Sequence, residues 1–427
     1  MDRFVIEGGA KLRGEVKISG AKNSALPIIA AALLTDKKII LENTPDLVDV
    51  RTMMELITHL GSEVEFSHNT LKMHTPKIKR IDAPYDIVRK MRASYYVLGA
   101  LLARERKARV SLPGGCAIGP RPIDMHIRGL QALGTEIKIE DGFINAHARE
   151  LRGQDVNLQG PKGTSVGATI NVMLAATQAK GETVISPAAC EPEVVDVADF
   201  LNTIGYAVSG QGTHTIVVKG MSLSAEEKSS SSSVRYRIIP DRIEAGTFAV
   251  AASITRSTIS INNCRPEHVT SVLDKLEEIG STIDKSDSAI VVKGNKNMHA
   301  TNIFVAPYPG FPTDMQAQFM ALLSVVHGTS TIKETIFENR FMQAVELMRM
   351  GADITIEGDT AVIKGIKKLS AAHVMASDLR ASVALVLAGL VAKGQTAVRR
   401  IYHLDRGYEN FELKLQKLGA RIKREHE

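Results

Sequence analysis

The chain has 427 residues, 44% of them hydrophobic, with a formal net charge of +6. That length supports about two or three domains with their own cores. Basic residues are scattered along the chain and aromatics make up only 4%, with no Trp, so stacking platforms are scarce and nucleic acid is not expected as a partner.

The longest uncharged apolar runs, "SALPIIAAALL" at 24–34 and "ASVALVLAGLVA" at 381–392, fall short of the ~18 residues that read as a membrane span. The start, "MDRFVIEGG", enters a strand-like run with no basic and apolar leader. No membrane, no export and a cytoplasmic location are the expectation. Cys116, Cys190 and Cys264 are odd in number and far apart, with no C-x-x-C and no His at ligand spacing, which predicts free thiols and no metal.

In chain order, one unit recurs six times. A helical pattern closing on an apolar residue plus Gly, followed by an alternating strand, occurs as "VRTMMELITHLGSEVEF", "HIRGLQALGTEIKI", "VADFLNTIGYAVSG", "VLDKLEEIGSTIDK", "AVELMRMGADITI" and "FELKLQKLGARIKR". Gly61, Gly134, Gly205, Gly280, Gly351 and Gly419 mark the helix ends, 68 to 75 residues apart, each where left-handed backbone closes a helix. Between the marks lie helices apolar on nearly every side, beginning near Ser24, Ala93, Val166, Glu244, Met315 and Leu379. A helix without a polar face must be buried all round, so the pattern predicts an inside-out α/β arrangement of βαβ-type units. "EEKSSSSSVRYR" at 226–237 reads as a flexible connector with three units on either side, hence two similar domains facing across a cleft.

The starts of the apolar helices carry charge. Lys22 and Asn23 precede a helix whose expected cap is Ser24, Arg92 stands before the second, and Lys162, Ser165 and Gly167 stand at the third, where backbone N–H groups suit an anion. The later helices begin with Asp241 and Glu244, Asp314, and Asp378, each readable as a cap, beside Arg340, Arg380 and Arg406, whose charge opposes the helix dipole unless an anion is present. "LPGGCAIGPRP" at 112–122 holds Cys116 behind two glycines with Arg121 five residues on. By composition it is either a turn that carries a thiol or a loop that presents a reactive one.

"SGAKNSALP", "MRAS", "LPGGCAIGPRPIDMHI", "SVGAT", "EPEVVD", "PDRIEAGTF", "FPTDMQAQF", "ENRFM", "DLRAS" and "IYHLDRGYE" together resemble the motifs of the enolpyruvyl transferase family that acts on UDP-N-acetylglucosamine, the UDP-N-acetylglucosamine 1-carboxyvinyltransferases. The resemblance runs the whole chain. It implies two inside-out α/β barrel-like domains of three repeats each, residues 22–235 and residues 1–21 with 236–427. It implies transfer of the enolpyruvyl group of phosphoenolpyruvate to the sugar 3′-hydroxyl with release of phosphate, the first committed step of peptidoglycan synthesis, without a cofactor.

Carried over by motif, Cys116 is the acid that protonates C3 of phosphoenolpyruvate and the target of phosphonate epoxides such as fosfomycin. Asp314 is the base for the 3′-hydroxyl, with Lys22, Arg406 and Asp378 also in the catalytic set. Lys22, Asn23, Arg121, Arg340, Arg380 and Arg406 match the phosphoenolpyruvate contacts. Arg92, Arg121, Pro122, Ile123, Asp124, Met125, Gly163, Thr164, Ser165, Val166, Gly167, Asp314 and Ile336 match the UDP-sugar contacts. One departure stands out: the family often has a basic residue two before the Ser of "SVGAT", where this chain has Gly163, with Lys162 one position earlier. Cys190 and Cys264 read as inert strand-end thiols, and His126 and His403 as structural or positioning residues rather than ligands. The competing readings are the sister activity that makes enolpyruvylshikimate phosphate, against which "GGCAIGPRP" argues, and a non-catalytic nucleotide-binding regulator.

Overall fold

The computed structural model describes residues 2–112, 123–220 and 233–426. The repeat dictates what is seen there. Among the described residues there are six four-stranded sheets, each with the same order. In one of them Val234–Arg237 runs parallel to Ile39–Glu42, which pairs antiparallel with Thr70–His74, which in turn pairs with Glu63–Ser67. The last two strands form a hairpin that follows an amphipathic helix, here Val48–Leu60, whose Val50, Met53, Leu56, Ile57 and Leu60 are buried.

All six marker glycines close their helices with positive φ, from +118° at Gly61 to +90° at Gly351. A side chain there is strained by φ alone. At Gly61 the space is also taken, since a Cβ would come within 3.0 Å of the Lys77 carbonyl.

The apolar helices form the cores. Arg242–Ile254 is buried from Ile243 to its end, Gln316–Leu323 is buried throughout and Leu379–Val391 from Arg380 to Leu390, and these three pack on one another. Lys22–Ala31, Tyr96–Glu105 and Val166–Ala176 are buried in the same way, the middle one packing on both others. Strands that alternate buried and more exposed residues, such as Ala289–Lys293, form the outer layer with the amphipathic helices.

The chain divides into two compact units, residues 2–19 with 240–426, and residues 20–112 with 123–239. Each closes with a strand borrowed from far along the sequence. In the first, Asp2–Glu7 lies between Gln395–Arg399 and Arg421–His426, and Arg13–Lys17 runs parallel to Thr258–Asn262. In the second, Val234–Arg237 supplies the edge strand. The expected connector is therefore corrected at its end: the alternation of Val234, Arg235, Tyr236 and Arg237 pairs as a strand rather than a linker. Tyr236 also donates its hydroxyl to the buried Asp196 at 2.6 Å.

Candidate active site

Two groups of predicted residues assemble, one in each unit. In the unit of residues 240–426, Asp314 sits in the short 3₁₀ turn Thr313–Met315 that leads into Gln316–Leu323. It is not a cap. Its Oδ1 accepts from Arg340 Nη2 and its Oδ2 from Arg380 Nη2, both at 2.7 Å. The arginine side chains are 5% and 6% exposed, whereas Asp314 keeps 29% of its side chain open. Burial pulls Arg380 down, but the Asp314 carboxylate, together with Tyr408 and Asp241, more than offsets it and holds the guanidinium well above its ordinary value. The result is an ionised carboxylate fixed at both oxygens with one side accessible, which can accept a proton from a hydroxyl group placed there.

The neighbours of this carboxylate explain its placement. Arg380 Nη1 donates to the Tyr408 hydroxyl at 3.1 Å, and Gln318 Nε2 donates to the Asp314 carbonyl at 2.9 Å. Glu334 is buried and accepts from Ile336 N at 2.8 Å, Phe337 N at 3.2 Å and Thr313 Oγ1 at 2.8 Å, so it ties the turn of Asp314 to the segment carrying Ile336. Burial pushes its carboxyl up despite those bonds. Asp378 is a cap: its Oδ1 accepts from Arg380 N at 2.8 Å and Ala381 N at 3.1 Å at the start of Leu379–Val391. Arg406 ends the 3₁₀ helix Ile401–Arg406. His403 on that helix is held below its ordinary value by burial and by Arg406, with Asp378 opposing, so these three charges share one neighbourhood.

In the unit of residues 20–239, the expectation of Ser24 as a cap is corrected. The helix is Lys22–Ala31, with Ala21 at the cap position and no side-chain cap. Ser24 is turned inward and its hydroxyl donates to Asp196, so Lys22 and Asn23 lie inside the first turn. The Lys22 ammonium reaches Asp49 Oδ2 at 3.3 Å. Arg92 opens the 3₁₀ turn Arg92–Tyr95 and lies over the Tyr95 ring, 5.8 Å from its centroid.

Ser165 caps Val166–Ala176 by accepting from Ala168 N at 3.2 Å. A Cβ on Gly167 would come within 3.0 Å of the His126 ring, and one on Gly160 within 2.7 Å of Met125 Sδ. Met125 and His126 thereby meet the 160–167 segment, while Asp124 opens the helix Asp124–Ala132 with Ile123 at its cap position. Gly163 has φ +94° and exchanges backbone hydrogen bonds with Gly160, at 3.0 and 3.2 Å. That tight turn accounts for a glycine where the family often carries a basic side chain. Thr164 and Val166 flank the cap and are half-buried, and Lys162 is exposed.

Cys116, Arg121 and Pro122 lie outside the described residues. Cys190 and Cys264 are buried thiols, and burial raises both, Cys264 to about 11. A thiol so shielded is a poor nucleophile. Among the described residues no group of His, Cys, Asp and Glu suits a metal, and no helix is long and apolar enough to cross a membrane. Sequence reasoning missed Tyr408, Gln318, Glu334 and Asp49. Of these, Tyr408 and Gln318 had a signal, lying inside the motifs "IYHLDRGYE" and "FPTDMQAQF".

A family model described as EPSP synthase (3-phosphoshikimate 1-carboxyvinyltransferase) matches residues 6–415. A relative from Desulfosudis oleivorans named UDP-N-acetylglucosamine 1-carboxyvinyltransferase is 52% identical over 424 residues, 99% of each chain. Another from Carboxydothermus hydrogenoformans, UDP-N-acetylglucosamine 1-carboxyvinyltransferase 2, is 51% identical over 426 residues, again 99% of each. Among solved structures, the enolpyruvyl transferase NikO from Streptomyces tendae superimposes with a TM-score of 0.88 at 24% identity, covering 99% of this chain and 98% of that one. An EPSP synthase from Acinetobacter baumannii does so with a TM-score of 0.73 at 16% identity, covering 100% of both chains. At those identities the two structures speak for the fold alone.

Proposed function

The chain belongs to the enolpyruvyl transferase family, and from that premise we propose that it transfers the enolpyruvyl group of phosphoenolpyruvate to the 3′-hydroxyl of UDP-N-acetylglucosamine, releasing phosphate, as the first committed step of peptidoglycan synthesis in the cytoplasm. The observation that carries the choice of acceptor is the half-identity with relatives of that name over nearly the full length of both chains, against far lower identity with an EPSP synthase of the same fold.

In this reading Asp314 takes the proton as the sugar oxygen attacks C2 of phosphoenolpyruvate, and Cys116 delivers a proton to C3, giving a tetrahedral ketal. Loss of a C3 proton and cleavage of the C2–O bond to phosphate then release the enolpyruvyl ether and phosphate. Lys22, Asn23, Arg121, Arg340, Arg380 and Arg406 neutralise the phosphate and carboxylate, an electrostatic task that dominates when charge moves onto a leaving group. Arg92, Arg121–Met125, Gly163–Gly167 and Ile336 hold the UDP-sugar. An ordinary thiol pKa of roughly 8.5 lets Cys116 keep a proton at neutral pH and still release it.

Phosphate release is measured with phosphoenolpyruvate and either UDP-N-acetylglucosamine or shikimate 3-phosphate. Release with the sugar nucleotide alone is expected, and release with shikimate 3-phosphate alone would overturn the reading. A phosphonate epoxide should alkylate Cys116 faster with the sugar nucleotide bound, and Cys116→Asp protein should keep transfer yet resist it. Peptide mapping that finds the adduct on Cys190 or Cys264 would remove Cys116 from the mechanism.

A further inference from the structure

Among the residues around Asp314 to which the proposed chemistry assigns no task, Tyr408 makes a direct contact with one of its two arginines. It is 3% exposed and its hydroxyl meets the side chains of Thr247, Arg380 and Gln318. The hydrogens can be assigned in order. Thr247 Oγ1 donates its single hydrogen to the Ile243 carbonyl at 2.7 Å, as a helical threonine does. The Tyr408 hydroxyl, 2.9 Å from the same Oγ1, must therefore be the donor in that pair. Its oxygen is left as an acceptor for Arg380 Nη1 at 3.1 Å, while Gln318 Nε2 stands 3.3 Å from it and 3.2 Å from Thr247 Oγ1. The other end of the same guanidinium, Nη2, holds Asp314 Oδ2.

We propose that Tyr408 is a positioning residue for proton transfer at Asp314: its hydroxyl fixes the Arg380 guanidinium, and Arg380 fixes the orientation and charge of the carboxylate. The proposal rests on Asp314 being the base. The backbone next to Tyr408 is closely packed, since a Cβ on Gly407 would meet Leu379 Cδ2 at 2.5 Å. Burial raises the phenol above its ordinary value, so it stays protonated and keeps this hydrogen-bond order through the neutral range. The charged groups facing the cluster are Arg340 on the segment after Glu334, Asp241 at the cap of Arg242–Ile254, which acts on both Arg380 and Tyr408, and Asp378 at the cap of Leu379–Val391.

Without the hydroxyl, Nη1 of the guanidinium loses this acceptor and the hold of Arg380 on Asp314 Oδ2 loosens, while that of Arg340 on Oδ1 remains. The carboxylate is then easier to protonate, so the acid limb of turnover moves to higher pH. Turnover itself falls, because the proton acceptor is no longer held in one orientation.

The test is phosphate release by the full chain at saturating phosphoenolpyruvate over a range of UDP-N-acetylglucosamine concentrations, from about pH 5 to 9, the span that brackets a working acid–base pair. Wild type is compared with Tyr408→Phe, Thr247→Val and the double variant, each checked for fold by circular dichroism. Tyr408→Phe should lower kcat by ~10- to 100-fold, the scale of a misplaced group, with an upward shift of the acid limb and KM for the sugar nucleotide unchanged. Thr247→Val should shift the limb in the same direction by less. The double variant should match Tyr408→Phe alone, since both side chains act along one line of hydrogen bonds.

A folded Tyr408→Phe protein with the wild-type pH profile, a rise in KM without loss of kcat, or additive losses in the double variant would each overturn the proposal. Should Tyr408→Phe not fold, an unmoved acid limb in Thr247→Val overturns it. Wild-type protein that releases no phosphate, or an Asp314→Asn form that keeps the wild-type acid limb, would instead bring down the reading of the base.

Discussion

The buried helices of residues 240–426 begin on carboxylates, while those of residues 20–239 begin on neutral or cationic side chains. Asp241 accepts from Ile243 N at 2.8 Å and Glu244 N at 3.0 Å, and Asp378 does the same for its own helix. In the other unit neither Lys22–Ala31 nor Tyr96–Glu105 has a side-chain cap, Ser165 caps the third with one bond, and none of the three has an acidic residue in its first turn. The scaffold is the same, so burial and propensity do not explain the difference. One unit satisfies its helix dipoles internally, worth about 0.5–2 kcal/mol for each cap. The other forgoes that stability and leaves N–H groups beside Lys22 and Arg92, the arrangement an anion needs.

Asp314 breaks the pattern within its own unit. It stands where a cap is expected and spends both oxygens on arginines instead. Asp314→Asn preserves shape and removes the proton acceptor, so turnover should fall by about 10²–10⁴-fold, the usual scale for a general base. Binding of the sugar nucleotide, measured by calorimetry, should persist. Near wild-type turnover would reduce Asp314 to a structural partner of Arg340 and Arg380.

Removing the true caps should act on stability. Asp241→Ala and Asp378→Ala should each cost about 0.5–2 kcal/mol in urea unfolding, and Ser165→Ala should lie at the low end because it loses one bond rather than two. Equal losses at all three positions would erase the distinction between the units. Asp378→Asn sharpens the same point, since asparagine caps as well as aspartate. A loss of turnover in that variant at unchanged stability would show that the charge of Asp378 does more than cap a helix.

What was legible in the sequence was local. The six glycines announce left-handed helix ends and the apolar helices announce their own burial, because both signals lie within a few residues of the feature they specify. Pairing across the chain was not. Val234–Arg237 looked like the tail of a serine-rich connector because its partner, Ile39–Glu42, lies far away in sequence. Ser24 looked like a cap because serine ahead of an apolar run is the commonest cap pattern, yet its partner Asp196 is 172 residues distant. Lys22 and Arg406 stood out as charges near the starts of apolar helices and took their roles from the motif resemblance, whereas Asp49 and Glu334 carried no spacing that marks them out. Side chains that act by holding another side chain leave no periodic trace.

The smallest expected effect separates two histidines, one in each unit and each beside an arginine. His126 keeps part of its surface exposed, yet the dense packing around it and Arg92 nearby pull the imidazole down to about 4, with Asp124 opposing. Asn171 Nδ2 lies 3.0 Å from His126 Nδ1, while Asn171 Oδ1 is taken by Gly99 N at 2.9 Å, so the amide donates and the neutral ring carries its proton on Nε2. His403 is lowered in the same direction by burial and Arg406, but there Asp378 supplies a nearby negative charge. A folded-state pKa below the unfolded value of ~6.5 makes the contribution of the neutral ring complete above that pH and lost as pH falls through about 4. Glutamine offers a carbonyl acceptor to Asn171 and does not titrate. His126→Gln should therefore lose less stability than wild type as pH is lowered across that window, read as the urea midpoint at each pH. His403→Gln should flatten the curve in the same sense. Parallel curves for wild type and His126→Gln would mean that the imidazole accepts its proton without cost, and that Arg92 tolerates a second cation beside the helix start it serves.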